Sequence, residues 1–275
     1  MSGFLDAMAA SSAQRVAQAR EHESFAALER RAQDVADAPP LRLSPHGFDI
    51  IAELKLRSPA YGALGSSQDD WLGRVESYAR GGAAAVSVLT EPSRFDGSLE
   101  HLRQATARLA PLGVPAMRKD FLLDPYQVLE ARACGAGGVL VIARMLPAQQ
   151  IVELLDCAAA CKMFVLLEAF DADDLAVSFD LLKRRQSRQE TVLVGINCRD
   201  LQTLQVVQDR FDSLAPQLSP DWPSVAESGV NSPQDAQKMA RLGFRLALIG
   251  SALMSDADPV ALLSGMLAAA RTVQP

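Results

Sequence analysis

Three times along this chain a helix-like stretch ends at a glycine and is followed at once by a short, uniformly apolar run. Tyr78-Ala79-Arg80-Gly81 precedes Ala85-Val86-Ser87-Val88-Leu89, and Glu130-Ala131-Arg132-Ala133-Cys134-Gly135 precedes Val139-Leu140-Val141-Ile142. Met239-Ala240-Arg241-Leu242-Gly243 precedes Leu246-Ala247-Leu248-Ile249. A run that is apolar on both faces reads as a strand buried on both faces, the pattern of a parallel sheet covered by helices, and glycine is the common helix stop. Gly81 and Gly135 stand 54 residues apart, and Gly135 and Gly243 stand 108 apart. At roughly 27 residues per strand–helix unit, those gaps are two and four units of a barrel-sized repeat. Other apolar segments fill the intervals, so eight strands are expected near 49–54, 84–89, 114–118, 138–142, 163–168, 192–196, 223–227 and 246–250. Helical patterns lie between them, for example from Trp71 to Arg80, on the face marked by Leu99, Leu102 and Leu109, and on that marked by Ala236, Met239 and Ala240. Eight alternating units without a second composition regime predict an α/β fold, a (β/α)8 TIM barrel. The rival, an open doubly wound sheet, usually carries a G-x-G-x-x-G turn, and none occurs.

Residues 4 to 35 read as one helix, with Phe4, Leu5, Met8, Ala9 and Val16 as its apolar stripe and Arg15, Arg20, Glu21, Glu23, Glu29, Arg30 and Arg31 on a polar side. Ala38-Pro39-Pro40 is the expected stop and Ser44-Pro45-His46-Gly47 a loop. The expected organisation is one domain over 1–275, with 1–47 a helical extension and 48–275 the barrel. Of the 275 residues, 49% are hydrophobic and 22% charged, which allows a core of that size and excludes global disorder. A net charge of −6 argues against a nucleic-acid partner, so an anionic ligand needs local cations and backbone N–H groups. Cys134, Cys157, Cys161 and Cys198 form no C-x-x-C pair, and His22, His46 and His101 are scattered, so no metal site is expected. The cysteines read as reduced, mostly buried thiols of a cytoplasmic protein. No secretion signal or membrane segment is expected, and the chain reads as monofunctional.

Charge collects where strands are expected to end. The first ends in Glu53-Leu54-Lys55, the third in Arg118-Lys119-Asp120 and the fifth in Leu167-Glu168. The sixth ends in Asn197-Cys198-Arg199-Asp200 and the seventh in Glu227-Ser228-Gly229. In a barrel these ends share one mouth, where lysines, carboxylates and an amide ring a common pocket. For any one of these groups alone, a structural ion pair or a solvated charge cluster is the simpler explanation. Ser228-Gly229 and Gly250-Ser251 follow adjacent strands, the usual place for a phosphate in this fold, and Ser58 can join them. After the triplet, Asp124-Pro125 has the form of a helix N-cap followed by a first-turn proline.

Taken in order, these segments resemble the indole-3-glycerol phosphate synthase family. The resemblance runs through Ile51-Ala52-Glu53-Leu54-Lys55 with Ser58-Pro59, Ser87-Val88-Leu89-Thr90-Glu91 with Phe95-Asp96-Gly97-Ser98, and Arg118-Lys119-Asp120-Phe121 with Asp124-Pro125-Tyr126-Gln127. It continues through Leu167-Glu168, Gly195-Ile196-Asn197-Cys198-Arg199-Asp200-Leu201, Ala226-Glu227-Ser228-Gly229-Val230 and Ile249-Gly250-Ser251-Ala252-Leu253-Met254. It implies ring closure of 1-(2-carboxyphenylamino)-1-deoxyribulose 5-phosphate, with loss of CO2 and water, without cofactor or metal. By the same resemblance Lys119 is the acid of ring closure, and Glu168 with Lys55 is the acid–base pair of dehydration. Glu53, Asn197 and Glu227 orient substrate and lysines, and Arg199 holds substrate or neighbouring carboxylates. Ser58, Ser228, Gly229, Gly250 and Ser251 take the phosphate, Phe95 and Phe121 wall the aromatic ring, and the N-terminal helix lies over the barrel mouth. The implied partner is a phosphorylated small molecule, with neither nucleic acid nor membrane, and the expected state is a monomer or weak homodimer.

The chain departs from the family pattern in four places: Ala60-Tyr61 for Ser-Lys, Ala169-Phe170 for Val-His, Cys198 for a second Asn, and a 182–190 segment without a Gly-Ala helix stop. Three alternatives stay open: a paralogue acting on a related phosphorylated substrate, the related phosphoribosylanthranilate isomerase, and a catalytically silent barrel that partners other pathway proteins. The isomerase works with a Cys and an Asp, which fits Lys55, Lys119 and Glu168 poorly. A silent barrel would be expected to lose a buried charge from its pocket.

Overall fold

The computed structural model describes residues 3–59, 62–63, 70–185, 191–200, 203, 205–207 and 209–273. Eight parallel strands close into a barrel: β1 Asp49–Leu54, β2 Ala85–Leu89, β3 Ala116–Lys119, β4 Gly138–Ile142, β5 Phe164–Ala169, β6 Val192–Asn197, β7 Ser224–Glu227 and β8 Leu246–Ile249. Closure is made by β8 on β1, in a register from Asp49 opposite Leu246 to Ala52 opposite Ile249. All eight expected strands are present with ends shifted by a residue or two; the third starts at Ala116 and runs through Lys119.

The helices are α1 Gly3–His22 and α2 Phe25–Asp34 before the barrel, then α3 Trp71–Arg80, α4 Leu99–Leu109, α5 Pro125–Ala133, α6 Ala148–Ala160, α7 Ala172–Arg184, α8 Asp209–Leu214, α9 Pro233–Arg241 and α10 Pro259–Ala270. Side chains cap several starts: Asp124 accepts from the Tyr126 N–H at 2.9 Å, with Pro125 in the first turn, and Ser98, Asp171, Ser232 and Asp258 do the same for α4, α7, α9 and α10.

Strand parity divides the core. Ile51, Ala85, Met117, Leu140, Leu166, Leu193, Val225 and Leu246 point inward into one apolar cluster. Ile50, Ala52, Val86, Val88, Ala116, Val139, Val165, Val194, Ala226 and Ala247 point outward against the helices. Both faces are buried, so the strands carry no polar alternation and read as continuous apolar runs.

The glycine repeat is a helix-ending device, though not at every glycine expected. Gly82, Gly135 and Gly243 adopt left-handed backbone, while Gly81 is still right-handed. After α3, the N–H of Gly82 donates to Ala79 O and that of Ala83 to Tyr78 O, both at 3.1 Å, the paired closure of a Schellman turn. The same pair recurs after α5 and α9, and also after α6, where Lys162 takes the left-handed position at φ 56°. Lysine there costs about 1 kcal/mol relative to glycine, and it hides this unit from the sequence pattern.

The N-terminal extension is two helices rather than one. The break falls at Ser24, which caps α2 through the Ala27 N–H, and α2 ends at Asp34, before Ala38-Pro39-Pro40. The Tyr126 hydroxyl lies within hydrogen-bond reach of Glu23 O (2.9 Å), just past the end of α1, and of Ala19 O (3.2 Å), which also accepts from the Glu23 N–H. Val16, Leu28 and Ala32 then pack with Tyr126 and Leu129, docking the extension along α5. Part of the expected polar side of α1 also faces protein: Arg15 forms a two-pronged ion pair with Asp120, whose side chain is fully buried. The stretch after Lys55 contains a two-stranded ribbon, Arg57–Ser58 with Gly62–Ala63, where only loop is expected from sequence. Among the four cysteines Cys198 alone is fully buried; the other three are half-buried. Tyr61, Leu201 and residues 186–190 lie outside the described residues.

Candidate active site

Inward parity, carried two or four residues past the apolar layer, delivers the polar groups to the mouth. Ile51 is followed by Glu53 and Lys55, Met117 by Lys119, Leu166 by Glu168, Val225 by Glu227, and Leu193 by Gly195 and Asn197. An open cleft at the C-terminal ends of the strands is lined by Glu53, Lys55, Lys119, Glu168, Asn197 and Glu227. The same cleft is lined by every other residue singled out from sequence: Ser58, Phe95, Phe121, Arg199, Ser228, Gly229, Gly250 and Ser251. Chemistry in this fold is built at that face.

Two lysine–carboxylate groups form its polar floor. Lys55 Nζ donates to Glu53 Oε1 at 2.7 Å. Lys119 Nζ lies between Glu168 Oε2 at 3.2 Å and Glu227 Oε2 at 3.4 Å. The side chains of Glu53, Glu168 and Glu227 are 4%, 3% and 1% exposed, so these pairs act with little screening by water. Burial by itself would lower the Lys119 pKa, but Glu168, Glu227 and Glu53 outweigh it and hold the ammonium form above its ordinary range. Burial would likewise raise the Glu53 carboxyl, but Lys55, Lys119 and Arg199 outweigh it and keep it low. Glu227 goes the other way: burial, and next the Glu168 charge, lift it well above the carboxylate range despite Lys119. Missing side chains make room for the carboxylates, since a Cβ on Gly195 would overlap Glu227 Oε1 and one on Gly250 would overlap Glu53 Oε1.

Two loop starts shape the opposite rim. Ser228 (φ 66°) and Gly229 (φ 78°) are successive left-handed residues, and the first is one of three non-glycine residues in this conformation among the described residues. Such backbone persists only where its surroundings enforce it. The Ser228 hydroxyl donates to Asn197 Oδ1 at 2.9 Å, and the Arg199 N–H donates to the same oxygen at 2.9 Å. Asn197 is thereby fixed with its NH2 group left for the cleft. Gly250 and Ser251 open a short helical turn, Ser251–Ser255, directly after β8.

The remaining wall is aromatic. Phe121 meets Phe4 edge-on, with ring centroids 5.9 Å apart, and lies 6.3 Å from Phe95. Phe170 closes the wall under the Arg144 guanidinium, 4.6 Å from the ring, and Asp174 anchors that arginine. Phe4 and Leu5, on the apolar stripe of the helix that the resemblance places over the mouth, line the cleft; that these two residues reach it depends on how α1 docks. Leu248 was findable, being the inward-parity neighbour of Gly250 on β8. Cys198 is no nucleophile: it is buried on the outward face, and burial pushes its thiol up to about 12. Among the described residues no cluster of His, Cys, Asp or Glu is spaced to hold a metal ion, and no helix is long and apolar enough to cross a membrane.

Fold and cleft together define a (β/α)8 barrel of the enzyme type, with a lysine–carboxylate site at its C-terminal mouth. Two solved barrels share the fold at low identity. A 3-hexulose-6-phosphate synthase from Salmonella typhimurium has a TM-score of 0.62 at 12% identity, covering 82% of this chain and 99% of that one. A thiamine phosphate pyrophosphorylase from Pyrococcus furiosus has 0.56 at 14%, covering 82% and 96%. The family model described as indole-3-glycerol phosphate synthase matches residues 5–264, and the chain belongs to that family. A relative of that name from Nocardioides sp. is 41% identical over 87% of this chain and 89% of its own length. Another, from Verminephrobacter eiseniae, is 36% identical over 98% of this chain and 100% of its own.

Proposed function

We propose that this protein is an indole-3-glycerol phosphate synthase, a carbon–carbon lyase of tryptophan biosynthesis. It closes the pyrrole ring of 1-(2-carboxyphenylamino)-1-deoxyribulose 5-phosphate, releasing CO2 and water. The observation that carries this reading is Lys119, held as an ammonium between Glu168 and Glu227 on the polar floor of a cleft whose other wall is aromatic.

The roles follow from chemical need. Attack of the aromatic carbon on the ribulose carbonyl builds negative charge on oxygen, and a buried ammonium is the group to protonate it. We assign that step to Lys119. The new hydroxyl then leaves and a carbon-bound proton is removed, work for an acid–base pair, which we assign to Glu168 and Lys55. Glu53 holds Lys55 in place, Glu227 backs Lys119, and the NH2 of Asn197 is free to orient a substrate hydroxyl. Arg199 binds substrate or a neighbouring carboxylate, Phe95 and Phe121 wall the anthranilate ring, and Phe4 and Phe170 extend that wall. Ser58, Ser228, Gly229, Gly250 and Ser251 receive the phosphate, as strand-seven and strand-eight loops do in this fold. We read residues 1–275 as one domain, acting in the cytoplasm as a monomer or weak homodimer.

Incubation with the carboxyphenylamino-deoxyribulose phosphate, followed by indole fluorescence, tests this. The expected result is saturable indole formation with release of one CO2 per product; no indole signal from folded protein overturns it.

A further inference from the structure

Glu227 carries the least satisfied carboxyl in the cleft. Its Oε2 lies 3.4 Å from Lys119 Nζ, while its Oε1 is buried without a hydrogen-bond partner among the described residues. A buried ionised carboxylate normally finds donors on both oxygens. The flanking strands supply none: the register neighbour on β8 is Leu248, and Asn197 on β6, held through its Oδ1 by Ser228 and Arg199, makes no hydrogen bond to that oxygen. The charged groups facing Glu227 are Lys119 on β3 and Glu168 on β5, whose Oε2 lies 3.2 Å from the same Lys119 Nζ. Two adjacent carboxylates facing one ammonium are a charge mismatch that a single proton repairs.

On the functional reading above, the reaction needs such a proton. The substrate carboxylate leaves as CO2, so the electrons of its C–C bond restore the aromatic ring and no proton is released there. One proton goes to the attacked carbonyl oxygen, a second goes with that oxygen when it departs as water, and one returns from carbon as the indole forms. Each product therefore costs one proton net.

We propose that Glu227 holds a proton in the resting site, shared with Glu168, and passes it to Lys119 once Lys119 has protonated the substrate oxygen. In the first transfer a Lys119 N–H bond breaks as the substrate O–H bond forms, leaving a neutral amine. In the second the Glu227 O–H bond breaks as the N–H bond re-forms, leaving a carboxylate beside a restored ammonium. Lys55 then supplies the proton of the departing water, in the dehydration role assigned to it above. The proton lost from carbon returns to the Glu168–Glu227 pair, and water provides the remaining one. Glu227 thus acts through Lys119 as a proton reserve, a role that a purely orienting carboxylate does not have. The raised Glu227 pKa accords with this resting state.

Infrared difference spectra of substrate-free protein, wild type minus Glu227→Gln at neutral pH, read that proton directly. The expected result is a C=O stretch of a protonated carboxyl group that is lost in the variant and that fades in wild type as pH is raised. A wild-type spectrum with no such band overturns the proposal, and if the variant fails to fold, the presence or absence of the band in the wild-type pH series decides by itself. In turnover, Glu227→Gln keeps shape and neutrality but has no acidic proton to give. Its KM is expected to stay within about twofold while kcat falls about 10²-fold, the lower range for a lost acid–base group. An unchanged kcat overturns the proposal. The spectra need no substrate, so a missing band in an enzyme that makes indole defeats this inference alone, whereas a wild type that makes none defeats the functional reading.

Discussion

Three consecutive residues at the end of β3 serve two regions of the molecule. Arg118 and Asp120 face outward, toward the helix layer and the N-terminal extension, and Lys119 faces the cleft. The outer region is almost saturated with hydrogen bonds. Arg118, the largest fully buried side chain, donates to Asp120, Glu130, Thr90 Oγ1 and Gln127 O between 2.8 and 3.1 Å. Asp120 also accepts from Arg15, Thr90 and the Phe121 N–H, and only Arg15 Nε there lacks a partner among the described residues. One turn of α1 earlier, buried Ser12 donates to Phe121 O at 2.5 Å and accepts from Gln127 at 2.8 Å, fastening the extension to the same loop. The cleft side pairs Lys55 with Glu53 but leaves Lys119 alone between Glu168 and Glu227, with an orphaned oxygen on Glu227. The difference teaches what each network is for. A saturated buried network fixes a backbone, whereas a mismatched one is costly to fold and leaves protons able to move.

The comparison breaks most sharply at Lys119. Lys119→Ala is expected to lower kcat by about 10³-fold or more while the thermal midpoint moves by only about 3 °C, since the lost cation leaves carboxylates that can take up protons instead. Arg118→Met tests the other side. It leaves Asp120 and Glu130 as buried charges without their main partner, and an unfolding titration in urea should show a loss of about 3–5 kcal/mol. A loss below about 1 kcal/mol would mean that the outer network is not what holds this strand end.

Asp120→Asn should act on the join between the two regions. Burial would raise this carboxyl, but Arg118, Arg15 and Thr90 hold it well below the carboxylate range. Its stabilising contribution is therefore complete above the ordinary value of 3.8 and is lost as pH falls through the lower folded value. The variant should lose roughly 2 kcal/mol at neutral pH and show a smaller deficit in acid, with faster proteolysis of α1 as the local signature. Equal deficits at both pH values would contradict the ion-pair account. Smallest of all, Ser251→Ala should raise KM by about fivefold with little change in kcat, the loss of roughly one hydrogen bond to phosphate. An unchanged KM would remove Ser251 from the phosphate loop.

The barrel was legible because parallel strands buried on both faces announce themselves as apolar runs and because four of five Schellman turns, at Gly82, Gly113, Gly135 and Gly243, carry glycine. The fifth carries Lys162 and was invisible. The ring of strand-end charges was legible as well, since inward parity alone sends Glu53, Lys119, Glu168, Asn197 and Glu227 to one mouth. The break at Ser24 was not, because it depends on Tyr126, a hundred residues away, reaching the end of α1. Nor could the triplet itself be divided from local sequence, where Arg118, Lys119 and Asp120 look alike. Only the register of β3, with Arg118 between outward-facing Val88 and Val139, separates scaffold from chemistry.

That separation is tested most directly by turnover per folded molecule in Arg118→Met and Lys119→Ala, measured side by side at a temperature where both are folded. The account predicts that Arg118→Met keeps at least about a tenth of wild-type kcat, whereas Lys119→Ala retains about a thousandth or less. Two variants falling by the same factor would contradict it.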